Sequence, residues 1–189
     1  MRESREFEVR GVNHLALVCK DMAKTVDFYT NVLGFPLVKT VEFPHGAGQH
    51  FFFDIGNGDK LAFFWFASAP EAAPGIASPK HAVGLGPGPR GEGDFRTAHG
   101  SMNHVAFDVP AEKIEEYKRR LEAKGVRVSE FLNHDDSVEG IAPEMHPGVF
   151  IRSIYFQDPD GIMLEFACWT RPMGEGDVRH RPKTAADAK

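Results

Sequence analysis

The chain has 189 residues, a 42% hydrophobic and 26% charged composition and a net charge of −5 at pH 7, which fits one compact domain or two small units sharing a core. The acidic balance argues against nucleic acid or an anionic membrane as partner, and no apolar run is long enough to span a bilayer. Met1 to Arg10 is highly charged with no apolar stretch behind it, so the expectation is a cytoplasmic protein in which Cys19 and Cys168 are buried thiols.

Residues 11–19 (GVNHLALVC) read as a strand that is apolar on both faces. Asp21 caps a helix running to Val32, with Met22, Val26, Tyr29 and Leu33 on one stripe and Gly34 as its stop. Strands follow at 36–42, 49–55 and 60–66, the last two joined by the hairpin turn Gly56-Asn57-Gly58-Asp59. Residues 67–100 are rich in Pro and Gly with little periodicity, and read as a connecting segment and a candidate cover for a site. The order then repeats, with a strand at 102–109 and an amphipathic helix at 111–124 whose Ile114, Tyr117 and Leu121 point inward. Further strands read at 126–132, 149–156 and 162–169. Beyond Arg171 the tail reads as an extension or an arm toward a neighbouring subunit. The expected fold class is therefore α+β, two paired βαβββ modules forming a curled mixed sheet around a metal site. The modules are 1–66 and 101–170, with 67–100 between them and 171–189 as a C-terminal extension.

The repeat sets Asn13-His14 and Asn103-His104 in the same place. Strand alternation puts His14, Ala16 and Val18 on one face, His104 and Ala106 on another, and Met163, Glu165 and Ala167 on a third. Glu165 interrupts an apolar run, and a bare carboxylate there is too costly to bury, so it must be paired, protonated or metal-bound. The expectation is a metal ion held by His14, His104 and Glu165. Two imidazoles and one carboxylate leave coordination positions open, the preference of non-haem Fe(II) that takes substrate and dioxygen; Mn(II) or Zn(II) would also fit. Sixteen Phe against three Tyr and two Trp suggest an aromatic-walled cavity. Leu61, Phe63 and Trp65 are expected to face the metal, joined by Phe51 and Phe53 or else by His50 and Phe52. His45 and His134 stand in polar stretches and are expected to face solvent.

His146, seven residues, Ile154, Tyr155, two residues, Asp158-Pro159-Asp160-Gly161, three residues and Glu165 form one continuous motif. With this motif and the paired histidines, residues 11–66 and 101–169 resemble the vicinal oxygen chelate superfamily, which includes glyoxalase I, the bleomycin-resistance proteins and the extradiol ring-cleavage dioxygenases. The motif follows the extradiol signature except at Glu144, where that signature prefers a small or β-branched residue. Phe63 on the last strand of the first module is expected opposite Glu165, which would leave the fourth ligand of glyoxalase I missing. The resemblance implies an extradiol-type dioxygenase that cleaves a catecholic aromatic with dioxygen, working as a homodimer. By the same resemblance Tyr155 would hydrogen-bond or deprotonate a substrate hydroxyl and His146 would hydrogen-bond the substrate. An acid–base histidine would come from His50, His81 or His99. The alternatives are a glyoxalase-like metal-dependent isomerase, epimerase or lyase, and a ligand-sequestering protein of the bleomycin-resistance type.

Overall fold

A computed structural model describes residues 13–69 and 102–172. The expectations placed on the two termini and on most of 67–100, with His81 and His99, lie outside the described residues. In chain order the elements are β1 (His14–Val18), α1 (Met22–Asp27), β2 (Leu37–Glu42), β3 (Gly48–Asp54) and β4 (Lys60–Phe66). They repeat as β5 (Val105–Asp108), α2 (Ile114–Ala123), β6 (Leu132–His134), β7 (Ile151–Gln157) and β8 (Met163–Trp169). Two four-stranded sheets result, ordered β1-β4-β3-β2 and β5-β8-β7-β6. The β1–β4 and β5–β8 pairs are parallel and the others antiparallel, so the duplicated βαβββ unit read from the sequence is the observed one. Among the described residues no helix is long and apolar enough to cross a membrane.

Local chemistry sets the boundaries. The Asp21 carboxylate accepts a hydrogen bond from the Lys24 backbone N–H and starts α1. The helix widens after Asp27, where the Leu33 N–H reaches back five residues to the Phe28 carbonyl at 3.1 Å. Gly34 and Gly125, both at φ +78°, end the helical segments of the two modules in the left-handed conformation that suits glycine. The strand expected at 126–132 is the one clear departure, because only Leu132–His134 pairs as a strand. Upstream, the Ser129 hydroxyl takes the Tyr155 N–H at 2.9 Å, so a side chain replaces part of the backbone ladder.

Both sheets press one face into a single apolar core. Leu15, Leu17, Tyr29, Phe53, Leu61 and Phe63 of the first module join Phe107, Ile114, Leu121, Phe156, Leu164 and Phe166 of the second in one cluster. Across the seam the Phe35 and Phe107 rings meet edge to face with centroids 5.2 Å apart. Three polar links fasten the same seam. The Tyr29 hydroxyl donates to the Asp158 carboxylate at 3.2 Å, the Lys20 N–H donates to the Asp160 carboxylate at 3.2 Å, and Lys124 Nζ donates to the Asn31 carbonyl at 2.9 Å. Burial pushes the Asp158 carboxyl up to about 6, against the opposing hydrogen bonds from the Ile162 and Asp160 N–H groups. Each sheet therefore has a second face, turned away from this core, and that outer face carries the polar residues of interest.

Candidate metal centre

On the outer face of the second module the parallel register sets Ala106 beside Glu165, and the antiparallel register sets Tyr155 beside Glu165 on its other side. Glu165 is only 3% exposed. Its two oxygens are both used: Oε2 lies 2.9 Å from His104 Nε2, and Oε1 accepts from the Ser153 hydroxyl. The Tyr155 hydroxyl is a third donor to the same carboxylate. Burial raises the carboxyl's pKa, but the His104, Ser153 and Tyr155 donors outweigh it, so Glu165 is held below the usual range and stays ionised. Burial, then the charge of Glu165, pushes the Tyr155 hydroxyl well above its ordinary value, which makes it a donor and not a base. The His104 and Tyr155 rings meet edge to face at 5.6 Å. Ser153 was not singled out by the sequence reading; its position two residues before Tyr155, on the same strand face, is the signal that marks it.

The first module presents His14 on its own outer face with Ala16 and Val18, all exposed. His14 Nδ1 lies 2.8 Å from Asn13 Oδ1, and His104 Nδ1 lies 2.8 Å from Asn103 Oδ1. The duplicated Asn-His pair thus engages Nδ1 of both imidazoles alike, and in His104 it leaves Nε2 to meet Glu165. Within one chain, however, the expected triad does not converge. His104 and Glu165 are together, His14 stands apart, and among the described residues no three His, Cys, Asp or Glu side chains approach closely enough to hold a metal ion. The reason is the shared core. It holds both sheets by their inner faces, and His14 and the His104–Glu165 pair lie on separate outer faces.

The pocket wall also needs correction. The β1–β4 register pairs Leu15 with Leu61 and Leu17 with Phe63, so Leu61 and Phe63 are fully buried in the core. Trp65 shares their face, and its indole N–H donates to the Lys20 carbonyl at 3.1 Å. A one-residue shift in strand phase moves every side chain to the opposite face, and the register with β1 sets Leu61, Phe63 and Trp65 on the core side. His14 pairs with Lys60, and its face also carries Ala62, Phe64 and Phe66, with His50 and Phe52 from β3. The His50 and Phe64 rings stack at 3.6 Å, and His14 meets Phe52 at 5.9 Å. The same registers correct the overlay of the two repeats: Ala16 pairs with Ala62 as Ala106 pairs with Glu165. Ala62, not Phe63, stands opposite Glu165, and alanine supplies no ligand either.

Two further histidines differ from expectation. His146 is exposed and does not turn toward Tyr155; its Nε2 lies 3.1 Å from Asp135 Oδ2 and its Nδ1 accepts the Gly148 N–H at 3.0 Å. Both ring nitrogens are thus spent on closing the 135–150 loop. His134, expected in solvent, is on β6, half-buried on the Glu165 side of the sheet.

The donor set at Glu165 fits a divalent cation. Both nitrogens of His104 face acceptor oxygens, on Asn103 and on Glu165. A neutral imidazole has one proton for two such places, so the second asks for another proton or a metal ion. The ionised, desolvated carboxylate supplies a compensating charge.

The chain belongs to the glyoxalase/bleomycin resistance protein/dioxygenase superfamily, whose family model matches residues 11–166. It is 29% identical over 128 residues to MhqE of Bacillus subtilis (strain 168), a protein assigned as a ring-cleaving dioxygenase; the match takes in 66% of this chain and 35% of MhqE, about a third of that protein's length. It is 27% identical over 180 residues to the metallothiol transferase FosB of Shouchella clausii (strain KSM-K16), with 95% of this chain and 92% of FosB covered. Among solved structures SMU.1112c superposes with a TM-score of 0.56 at 27% identity, covering 84% of this chain and 98% of that one.

Proposed function

We propose that the chain is a divalent-metal enzyme of the extradiol type, cleaving a catecholic aromatic with dioxygen, with Fe(II) as its metal and Mn(II) or another divalent ion as the alternative. The reading rests above all on Glu165, a carboxylate kept ionised in a buried setting by His104, Ser153 and Tyr155. The motif from His146 to Glu165 and the likeness to MhqE support it. His104 and Glu165 would hold the metal together with His14 of a second copy of the chain, since His14 lies on an open face with Val18 51% and Phe66 37% exposed. Bound there, the ion supplies Lewis acidity and open coordination positions for a diol and for dioxygen.

The chain's own residues do the rest. Asn13 and Asn103 fix the imidazole tautomers, and Ser153 fixes the carboxylate. Tyr155 offers a hydroxyl donor beside it. Phe52 lies against His14, and Phe64, beside Val18, extends the apolar wall along the same face. Ile141 packs on Leu132, Tyr155 and Met163, so the 135–150 loop covers the second module's outer face against water.

Anaerobic reconstitution with Fe(II), a catechol panel and an oxygen electrode test the proposal. One dioxygen consumed per diol with a coloured ring-fission product is the expected result. A second reading, a metal-dependent addition or isomerisation without dioxygen, is favoured by the near full-length match to FosB. Turnover with Mn(II), Co(II) or Ni(II) and no oxygen uptake would replace the first reading with that one.

A further inference from the structure

His134 sits where the proposed chemistry would need a partner that no described residue supplies. Its strand pairs His134 with Ile151 and Leu132 with Ser153, so its side chain shares the outer face with Ser153, Tyr155 and Glu165. The Asn133 carbonyl takes the Ala142 N–H at 2.8 Å and the His134 carbonyl takes the Phe150 N–H at 2.9 Å, which tie the covering loop over this strand at both ends. The ring is held under that loop, and Gly140 approaches it with a backbone carbonyl. Yet its Nε2 is buried with no hydrogen-bond partner among the described residues. An unpaired nitrogen in such a place is costly to maintain, and native structures keep few of them without cause. Glu165 and His104 are its electrostatic neighbours. Burial pulls the ring's pKa down, more than the nearby Glu165 charge restores, so the imidazole is neutral near pH 7 and has one lone pair to offer.

We infer that His134 Nε2 is a hydrogen-bond acceptor for a hydroxyl of the ligand bound beside Glu165, and that it selects for ligands carrying such a donor. The inference rests on the proposed function for the identity of that ligand, a vicinal diol. A diol that gives up one proton on binding keeps one O–H, and that group needs an acceptor that is neither Tyr155, which donates, nor Glu165, whose oxygens are occupied. A neutral imidazole supplies it without adding a second charge to the site.

The test uses the full chain, metal-loaded, with 4-nitrocatechol as a chromophoric probe of binding. Three variants are compared: His134→Asn, whose shorter amide stops short of the Nε2 position; His134→Gln, whose amide oxygen reaches it; and His134→Phe, which removes the polar atom and keeps the volume. The expected result is binding weakened roughly three- to tenfold in Asn and Phe and partly restored in Gln. Metal content should be unchanged, and the metal-free Phe variant should melt no lower than the wild type. Unchanged affinity in all three would overturn the inference and assign the orphan nitrogen to a buried water. A lowered melting temperature with unchanged affinity would likewise make His134 a packing residue. Wild-type protein that binds the probe yet takes up no oxygen with any member of the catechol panel would overturn the dioxygenase reading and leave His134 standing. Wild-type protein that holds metal yet binds no probe would overturn both.

Discussion

The two modules share a strand order but finish their outer faces differently. In the first, His14, Ala16 and Val18 are exposed and the aromatic row beside them is only partly covered. In the second, Ser153, Tyr155, Met163, Glu165 and Ala167 are all buried, under a loop that has Ile141 packed on the sheet. The difference is one of electrostatics. The carboxylate is present only in the second copy, where it must be enclosed by donors to be effective; the first copy has Ala62 at that register and nothing to enclose. An open half with one imidazole and a closed half with His104 and Glu165 are complementary, and in the proposed site a second chain joins them.

The largest expected effect would break that complementarity outright. His14→Ala and His104→Ala should each abolish metal binding while leaving the fold intact. If the site is shared between chains, mixing and refolding the two dead variants should return about a quarter of wild-type activity, because half of random dimers are mixed and each of those has one intact site of two. A site built within one chain would return none, and metal analysis with an activity assay decides between them.

The next effect sharpens the contrast between inner and outer faces. Phe63→Ala should cost about 3–5 kcal/mol in denaturant unfolding, as a fully buried ring does, whereas Phe64→Ala, one residue on, should cost about 1 kcal/mol or less. Equal losses would overturn the separation of the two rings between core and outer face. Tyr155→Phe is expected to keep metal and lower turnover by about 10–100-fold; unchanged rates would reduce Tyr155 to packing.

The smallest effect concerns the seam between modules. Asp158 holds its proton more tightly when folded, its pKa rising from 3.8 to about 6, so folding takes up a proton within that window. The stability this provides is fully present below the unfolded value and is lost as pH rises through about 6. Asp158→Asn should flatten that dependence and raise stability at pH 7 by about 1–2 kcal/mol, read from melts across pH 4–8. An unaltered pH profile would show that the carboxyl titrates normally.

The sequence made the duplication legible because its signals are local: a capping Asp21, the stops Gly34 and Gly125, and strand runs that end in turns. His104 and Glu165 were legible for a related reason, since polar residues in apolar strands need a partner. The phase of β4 was not. LAFFWF is apolar at every position, so alternation carries no information, and only pairing with β1 decides which side chains face His14. Ser129 and Ser153 escaped notice and His134 was expected in solvent, because a hydroxyl or imidazole acquires meaning only from what lies across the sheet. The placement of His14 was illegible for a deeper reason: whether two copies of a unit meet by their inner or outer faces is a property of the assembly and not of any segment.

The continuous core has a consequence for how this molecule can be taken apart. Phe35 and Phe107 shield one another across the boundary between copies, so either half made separately would carry an aromatic surface into water. The ancestral unit can no longer be recovered by truncation. Calorimetry should record a single endotherm for the pair, and domain-by-domain dissection of its chemistry will have to proceed by point substitution.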